Sequence, residues 1–366
     1  MRIVCKLMRW PVKKKKFFSI VFAAILAVLV VLIIVIFSMF RNELNAIKTI
    51  KKISDDKNLY TMEYNGDYGF EAFLKAGGAS SDNEVAKFLS RYISKGYYTY
   101  DIEGTKNGCS TIAAVNSEGK FMFGRNFDWI DCTSMIVKTK PEKGYASIST
   151  VNLDFLGYNK DYQPSGIINS FLALGAPFVP LDGMNEMGLC IADLIIEDAG
   201  ETHQNTEKID LTTTTAIRLI LDNAATVEEA IKLLEQYDMH SSNGAMHHLA
   251  IADSYGNSVV VEYIDNEMYV TPTQFVTNFF LTDGKNYGFG SESSKIRFNI
   301  LSDIYNQNNG VLEEDDIKSA LISVSQSKSF DPGWISQWSI VFNQSDKKIK
   351  FYHCEDYDKE YVFSID

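Results

Sequence analysis

The pattern of apolar and polar positions divides the chain into three textures. Residues 17–40, FFSIVFAAILAVLVVLIIVIFSMF, are apolar throughout apart from Ser19 and Ser38. A run of that length predicts a bilayer-spanning helix, which takes roughly 20 residues. It exceeds the apolar stretch of a cleaved signal peptide, roughly 7–15 residues, and Phe37-Ser38-Met39-Phe40 offers no small-residue cleavage site. The expectation is an uncleaved signal anchor. Residues 41–58 are polar and lysine-containing, a stalk or helix. Further on, Val85, Phe88, Leu89, Tyr92 and Ile93 recur at helical spacing. They predict an amphipathic helix over 82–96, capped by Ser81 or Asp82.

From Cys109 onward the texture becomes short alternating runs. STIAAV and KFMFGR flank the turn sequence NSEG and predict a hairpin. Further strands are expected in YASISTVNL, GLCIADLII, HLAIAD, SVVVEY and EMYVTP. Helices are expected in TTTTAIRLILDNA, in TVEEAIKLLEQYD with a Thr226–Glu229 capping box, and near EEDDIKSALISVSQ. The closing QWSIVFNQSDKKIKFYHCE reads as a strand pair. Helices are grouped between runs of strands instead of alternating with them, which favours an α+β fold over a doubly wound sheet.

Charge sharpens the division. The formal net charge is −12, yet the first sixteen residues carry seven positive charges and no acid. The remainder holds 28 basic against 47 acidic residues, a formal charge of −19. An acidic body argues against nucleic acid as a partner. Lysines ahead of the apolar run predict that the N-terminus stays cytoplasmic and the body outside the cell. The composition, 46% hydrophobic and 22% charged, suits a globular core. The expected organisation is a cytoplasmic basic segment (1–16), a single-pass anchor (17–40), a pro-segment or stalk (41–108) and a catalytic domain (109–366).

Five cysteines are too few for a disulfide scaffold, although a Cys132–Cys354 bond outside the cell is conceivable. There is no C-x-x-C pair, and His247-His248 is the only histidine cluster, so no metal site is expected. Cys109 remains as the residue with candidate chemistry. A thiol becomes a nucleophile when a base or positive charge favours its thiolate. A histidine base is one option, with His247 or His248 in that role. The alternative is the cysteine's own α-amine, once a cut at Gly108–Cys109 frees it. A bland reading also stands: a buried core thiol.

The downstream sequence bears on the choice. GCSTIAAV followed by FGRNFDW, then GMNEMGL (183–189), VTNFF (276–280), SSKIRF (293–298) and QWSIVFN, in that order, resembles the linear amide C–N hydrolases of the choloylglycine hydrolase group. These are N-terminal nucleophile hydrolases that include bile salt hydrolases, penicillin V acylases and acid ceramidase-like amidases. The resemblance implies a four-layer αββα sandwich with two antiparallel sheets. It implies Cys109 as nucleophile, its freed amine as base, Arg125 beside the thiol and Asp128 orienting the amine. It implies Asn278 and Asn185 as oxyanion donors and Arg297 as a second active-site arginine. The substrate class would be a small-molecule N-acyl amide, with no cofactor, and a homo-oligomer is compatible with it. Bile salt hydrolases carry the cysteine almost at the start of the chain. The 108 residues ahead of it here resemble the acid ceramidase-like branch instead. A non-catalytic surface module on the same fold is the competing expectation. The aromatic-rich stretch 152–178 is a candidate wall of the acyl pocket.

Overall fold

A computed structural model of the chain describes residues 12–54, 57–96, 99–100, 102, 108–326 and 334–365. Most of the basic segment (1–11) and Asn107 lie outside these residues. Along the chain come α1 (Val12–Met39), α2 (Arg41–Thr49), β1 (Lys51–Lys52), β2 (Leu59–Asn65), α3 (Phe70–Lys75) and α4 (Asp82–Tyr92). The hairpin β3 (Gly108–Val115) and β4 (Phe121–Trp129) follows, then β5 (Ser134–Lys140), β6 (Ser147–Asn152), the four-residue α5 (Gly166–Asn169), β7 (Asp182–Asn185) and β8 (Cys190–Ile196). Next are β9 (Ile209–Thr212), α6 (Thr213–Asn223), α7 (Val227–Leu234), β10 (Tyr237–His240), β11 (Met246–Ala252), β12 (Ser258–Ile264), β13 (Glu267–Pro272) and β14 (Phe275–Thr277). The chain closes with α8 (Glu292–Gln307), α9 (Glu314–Ser323), β15 (Ile335–Asn343), β16 (Lys348–His353) and β17 (Asp356–Ser364).

Two large sheets organise these elements. One has the order β1-β2-β5-β6-β7-β8-β11-β12-β13, the other β14-β3-β4-β15-β16-β17. Three buried clusters mark the layer interfaces. Cys109, Phe123, Phe127, Ala192, Leu194, Val260 and Trp338 share the cluster between the sheets. Ile112, Met122, Val341, Leu301 and Ile317 join the smaller sheet to α8 and α9. Ile191, Leu249, Val261, Ile217, Leu221, Leu89 and Phe73 join the larger sheet to α3, α4, α6 and α7. Alternate residues of one strand enter different interfaces, as the two-residue period of a strand requires. That is why β8 reads as apolar apart from Asp193: both of its faces are covered. The result is the expected four-layer αββα sandwich.

Close packing explains one glycine of the FGR motif. A Cβ on Gly124 would sit 2.7 Å from Ile317 Cγ2 and 2.9 Å from Ile112 Cγ2. The position where β4 meets α9 therefore has room only for a hydrogen.

The structure departs from the sequence reading in the segment before Cys109. Residues 41–58 are no detached stalk. Helix α2 buries Ala46 and Ile47 in the same cluster as α4. Strand β2 adds to the larger sheet alongside β5, paired in parallel over all seven of its residues. The larger sheet is thus mixed, and the small β9–β10 pair is parallel too. Helix α4 ends at Tyr92, short of residue 96, and Ser81 precedes it without a side-chain cap. Thr226 does accept from the Glu229 amide at 3.2 Å, but the Glu229 carboxylate reaches the Ala225 amide, one residue before the cap. The stretch 152–178 forms two 3-10 turns around α5, with Leu153, Leu156, Ala173, Leu174, Ala176 and Phe178 spent in the core. Its two ends are core and its middle, α5 included, largely faces solvent; of the stretch, Phe155 lines a tight cavity of about 10 Å³ beside Asp193, Ile195 and His247.

Candidate functional site

The edge of the smaller sheet brings five of the six sequence candidates together. Cys109 is the second residue of β3, fully buried between the sheets. Its neighbours are fixed by register: β4 lays Phe127 opposite Cys109 and Asp128 opposite Gly108. Strand β14, on the other side of β3, ends at Thr277 and delivers Asn278 to the same corner. Arg297 comes from the first turns of α8, against β14.

Contacts to the backbone of Cys109 define the geometry. Its amide donates to Asn278 Oδ1 at 2.7 Å. Its carbonyl accepts from Arg297 Nη1. Arg297 Nη2 also donates to Asn278 Oδ1 and to Ser294 Oγ, both at 2.9 Å, and Ser294 Oγ accepts from the Asn278 amide at 3.1 Å. Asn278 Nδ2 donates to the Ile195 carbonyl at 2.6 Å, tying the site to the larger sheet. Both the nitrogen and the carbonyl of one residue are thus gripped by buried side chains.

Asp128 is fully buried. One carboxylate oxygen accepts from Ser336, while Oδ2 has no side-chain hydrogen-bond partner among the described residues and lies 3.9 Å from Arg297 Nη1. Oδ2 faces the α-carbon of Gly108, since a Cβ there would stand 3.3 Å from it. Burial pushes the Asp128 carboxyl above the usual carboxylate range, with Arg297 pulling the other way. Arg125 is equally buried and spans the two sheets. Its Nη2 donates to the Asp193 carbonyl at 2.8 Å, and Nε stands 3.4 Å from Asp182 Oδ2, which also accepts from Trp338 at 2.8 Å. Burial pushes the Cys109 thiol up to about 11, and the charge and hydrogen bond of Arg125 act against that rise. In this state the thiol is protonated and enclosed.

Asn185 is not part of this cluster. Its amide donates to the Leu221 and Ala224 carbonyls at 3.1 and 2.7 Å, and its Oδ1 accepts from Met187 and Leu189, both at 3.1 Å. Every one of those partners is backbone at the β7–β8 turn or the end of α6, so the side chain is committed to holding that turn. The elements of the larger sheet that do reach the site are Asp182 on β7 and Asp193 and Ile195 on β8. An acid inside the apolar run GLCIADLII was the available signal for Asp193. The hydroxyls of Ser294 and Ser336 carry no signal a single sequence can show.

The histidines have other partners. His247 Nδ1 pairs with Asp193 at 2.7 Å and its Nε2 meets the Ser242 carbonyl at 2.8 Å. His248 Nδ1 pairs with Glu262 at 3.0 Å. Cys190 is core, and no disulfide joins the four described cysteines to one another. Cys132 and Cys354 form no disulfide with each other; each donates its thiol to Gln337 Oε1 from 3.7 Å. Among the described residues no group of three acidic, histidine or cysteine side chains is arranged to hold a metal. A cavity of about 260 Å³ opens beside Gly108, lined by Glu197, Asn278, Ser291, Arg297 and Trp334 among others. It touches the Gly108 side of the Gly108–Cys109 bond and not the thiol.

This layering is the fold of the N-terminal nucleophile hydrolases. A mutant of conjugated bile acid hydrolase from Clostridium perfringens matches it at a TM-score of 0.54 with 15% identity, over 70% of this chain and 92% of that one. A second variant of the same hydrolase matches at a TM-score of 0.50 with 14% identity, over the same shares. Residues 109–278 match the model of the linear amide C–N hydrolases, choloylglycine hydrolase family. A penicillin V acylase of Pectobacterium atrosepticum is 32% identical over 99 residues. That alignment covers 24% of this chain and spans about a quarter of the acylase, 26% of its length.

Proposed function

We propose that the protein hydrolyses a linear amide bond in a small N-acyl compound, using Cys109 as an N-terminal nucleophile after a cut at Gly108–Cys109. The observation that carries this is the double grip on the backbone of Cys109. Burying Asn278 and Arg297 against one residue's nitrogen and carbonyl suits a nitrogen that becomes a working amine.

The cut follows from the same groups. Cys109 Sγ attacks the Gly108 carbonyl carbon, and the bond from that carbon to the Cys109 nitrogen breaks. The thiol proton ends on the nitrogen, now an amine. Water then cleaves the thioester, leaving a Gly108 carboxylate and a free thiol. In the cut chain Asn278 Oδ1 remains an acceptor for the amine, and Asp128 Oδ2 is a second one within its corner. Arg125 supplies the positive charge that favours thiolate. On substrate, Sγ attacks the acyl carbon, the amine passes a proton to the leaving nitrogen, and water releases the acid. The second N–H of Asn278 Nδ2 is the candidate oxyanion donor; fixed donors of this kind typically contribute roughly 3 kcal/mol to the barrier.

In the uncut chain the Cys109 nitrogen is an amide and cannot act as a base, so an unprocessed protein would be inert toward substrate, and the non-catalytic surface module is the reading for a chain that is never cut. The relatives' names direct the assay to conjugated bile acids and penicillin V, joined by N-acyl ethanolamides. On this reading the body lies outside the cell, held by Phe17–Met39 in the membrane. After the cut, β2 and helices α2 to α4 keep the anchor piece bound without a covalent link, because β2 is hydrogen-bonded into the larger sheet. Turnover of any member of the panel by wild type, lost in Cys109→Ala and kept in His248→Ala, supports the assignment. Turnover by Cys109→Ala refutes it.

A further inference from the structure

The short helix α5 presents two adjacent isoleucines to solvent, Ile167 at 62% and Ile168 at 70% exposure. Single exposed isoleucines are ordinary on protein surfaces and mean little. Their location makes this pair different. Helix α1 stops at Met39 and α2 starts at Arg41, with the Leu44 amide already bonded to the Phe40 carbonyl at 2.8 Å. The apolar helix therefore runs almost directly into a helix buried in the body. That junction determines which side of the body meets the bilayer if α1 spans it.

Helix α5 lies on that side. It packs beside α2, and Phe40 meets Phe171, two residues past α5, edge-to-face with ring centroids 6.0 Å apart. Lys95 Nζ lies 6.0 Å from the Phe40 ring and 4.7 Å from the Tyr92 ring. Three aromatics, a lysine and an exposed isoleucine pair thus ring the exit point of an apolar helix. Aromatic rings and lysines of this kind populate the headgroup level of membranes, with aliphatic side chains reaching below it.

We infer that α5 is a second membrane contact, with Ile167 and Ile168 inserted into the acyl-chain region of the leaflet that α1 leaves. The inference rests on the reading of α1 as an anchor. Its consequence is specific to a cut chain. Ile167 and Ile168 belong to the part beginning at Cys109, so that part keeps its own hold on the membrane and a fixed orientation toward it.

The test uses the full chain in phosphatidylcholine vesicles. Ile168→Cys, in a Cys5→Ser background, carries an environment-sensitive nitrobenzoxadiazole label. Tyr255→Cys, 69% exposed on the β11–β12 turn, carries the same label as a comparison. Doxyl-labelled lipids are expected to quench the probe at 168 at least twofold and to leave that at 255 unchanged. A probe at 168 as unquenched as that at 255 overturns the proposal. Alkaline carbonate extraction of the same vesicles, followed through the piece that carries Phe17–Met39, reports on the anchor separately. Retention of that piece with an unquenched 168 probe refutes the α5 contact alone; its release with an unquenched probe refutes both the contact and the anchor.

Discussion

Replacing Asp128 with asparagine separates chemistry from stability at this site. The substitution keeps the volume and leaves Oδ1 able to accept from Ser336. It converts Oδ2, the atom facing Gly108 without a side-chain partner, from an anionic acceptor into an NH2 group. A hydrogen bond to a charged group contributes about 1.5–3 kcal/mol, so losing the one that orients the freed Cys109 amine slows turnover roughly 10- to 150-fold. Stability responds differently. Removing one partner of a buried pair usually costs several kcal/mol, and Asp128 sits 3.9 Å from Arg297. Yet its carboxyl is pushed above its ordinary range, with burial outweighing Arg297, so the site on balance disfavours the anion. Arg297 also keeps its bonds to Cys109, Asn278 and Ser294. The expected change in unfolding free energy is therefore within about 1 kcal/mol. The assays are intact-mass time courses of the cut, steady-state turnover, and urea unfolding on one preparation. Turnover by the cut protein within threefold of wild type would refute the role given to Asp128. A loss of activity matched by collapse of the fold would refute the electrostatic reasoning.

Asn278→Ala and Asn185→Ala should diverge. The first is expected to slow turnover by roughly 100-fold or more through loss of a donor. The second leaves the turn and α6 carbonyls unpaired, costs about 2–4 kcal/mol of stability, and spares the turnover of the folded fraction. Chemical denaturation alongside kinetics distinguishes them. Burial pushes Asp222 up to about 6 from 3.8, against the pull of Arg218 and Tyr68. A carboxyl raised in the fold binds its proton more tightly there than unfolded, so its contribution falls as pH rises from about 4 to about 6. The difference in unfolding free energy between wild type and Asp222→Asn should drop by roughly 3 kcal/mol across that window, and a flat difference would contradict it. Gly124→Val forces carbon into contacts already at 2.7 and 2.9 Å and should destabilise by about 1–3 kcal/mol or more in thermal unfolding.

Much of the sandwich was legible because both large-scale patterns are local. The β3–β4 hairpin announces itself through NSEG, and α6 and α7 through apolar spacing. Strand β2 was equally available: Tyr60, Met62 and Tyr64 alternate with Thr61, Glu63 and Asn65. It was hidden by the lysine-rich stretch before it, which suggested a stalk. The parallel pairing of β2 with β5 was not legible, since nothing local to either strand specifies a partner that distant. The site shows the same division. Cys109, Arg125 and Asp128 lie on one hairpin, where spacing fixes register and so geometry. Asn185 sits in a matching motif, but the end of α6, far along the chain, decides where its amide points. Ser294 and Ser336 act only through residues that the fold brings to them.

The central claim is that the working enzyme begins at Cys109. Intact mass and N-terminal sequencing of an active, membrane-extracted preparation test it directly. The account predicts two co-purifying pieces, one starting at Cys109 and one ending at Gly108, with the Cys109→Ala protein remaining whole and inactive. A preparation that turns over an N-acyl amide while running as a single uncut chain would contradict it.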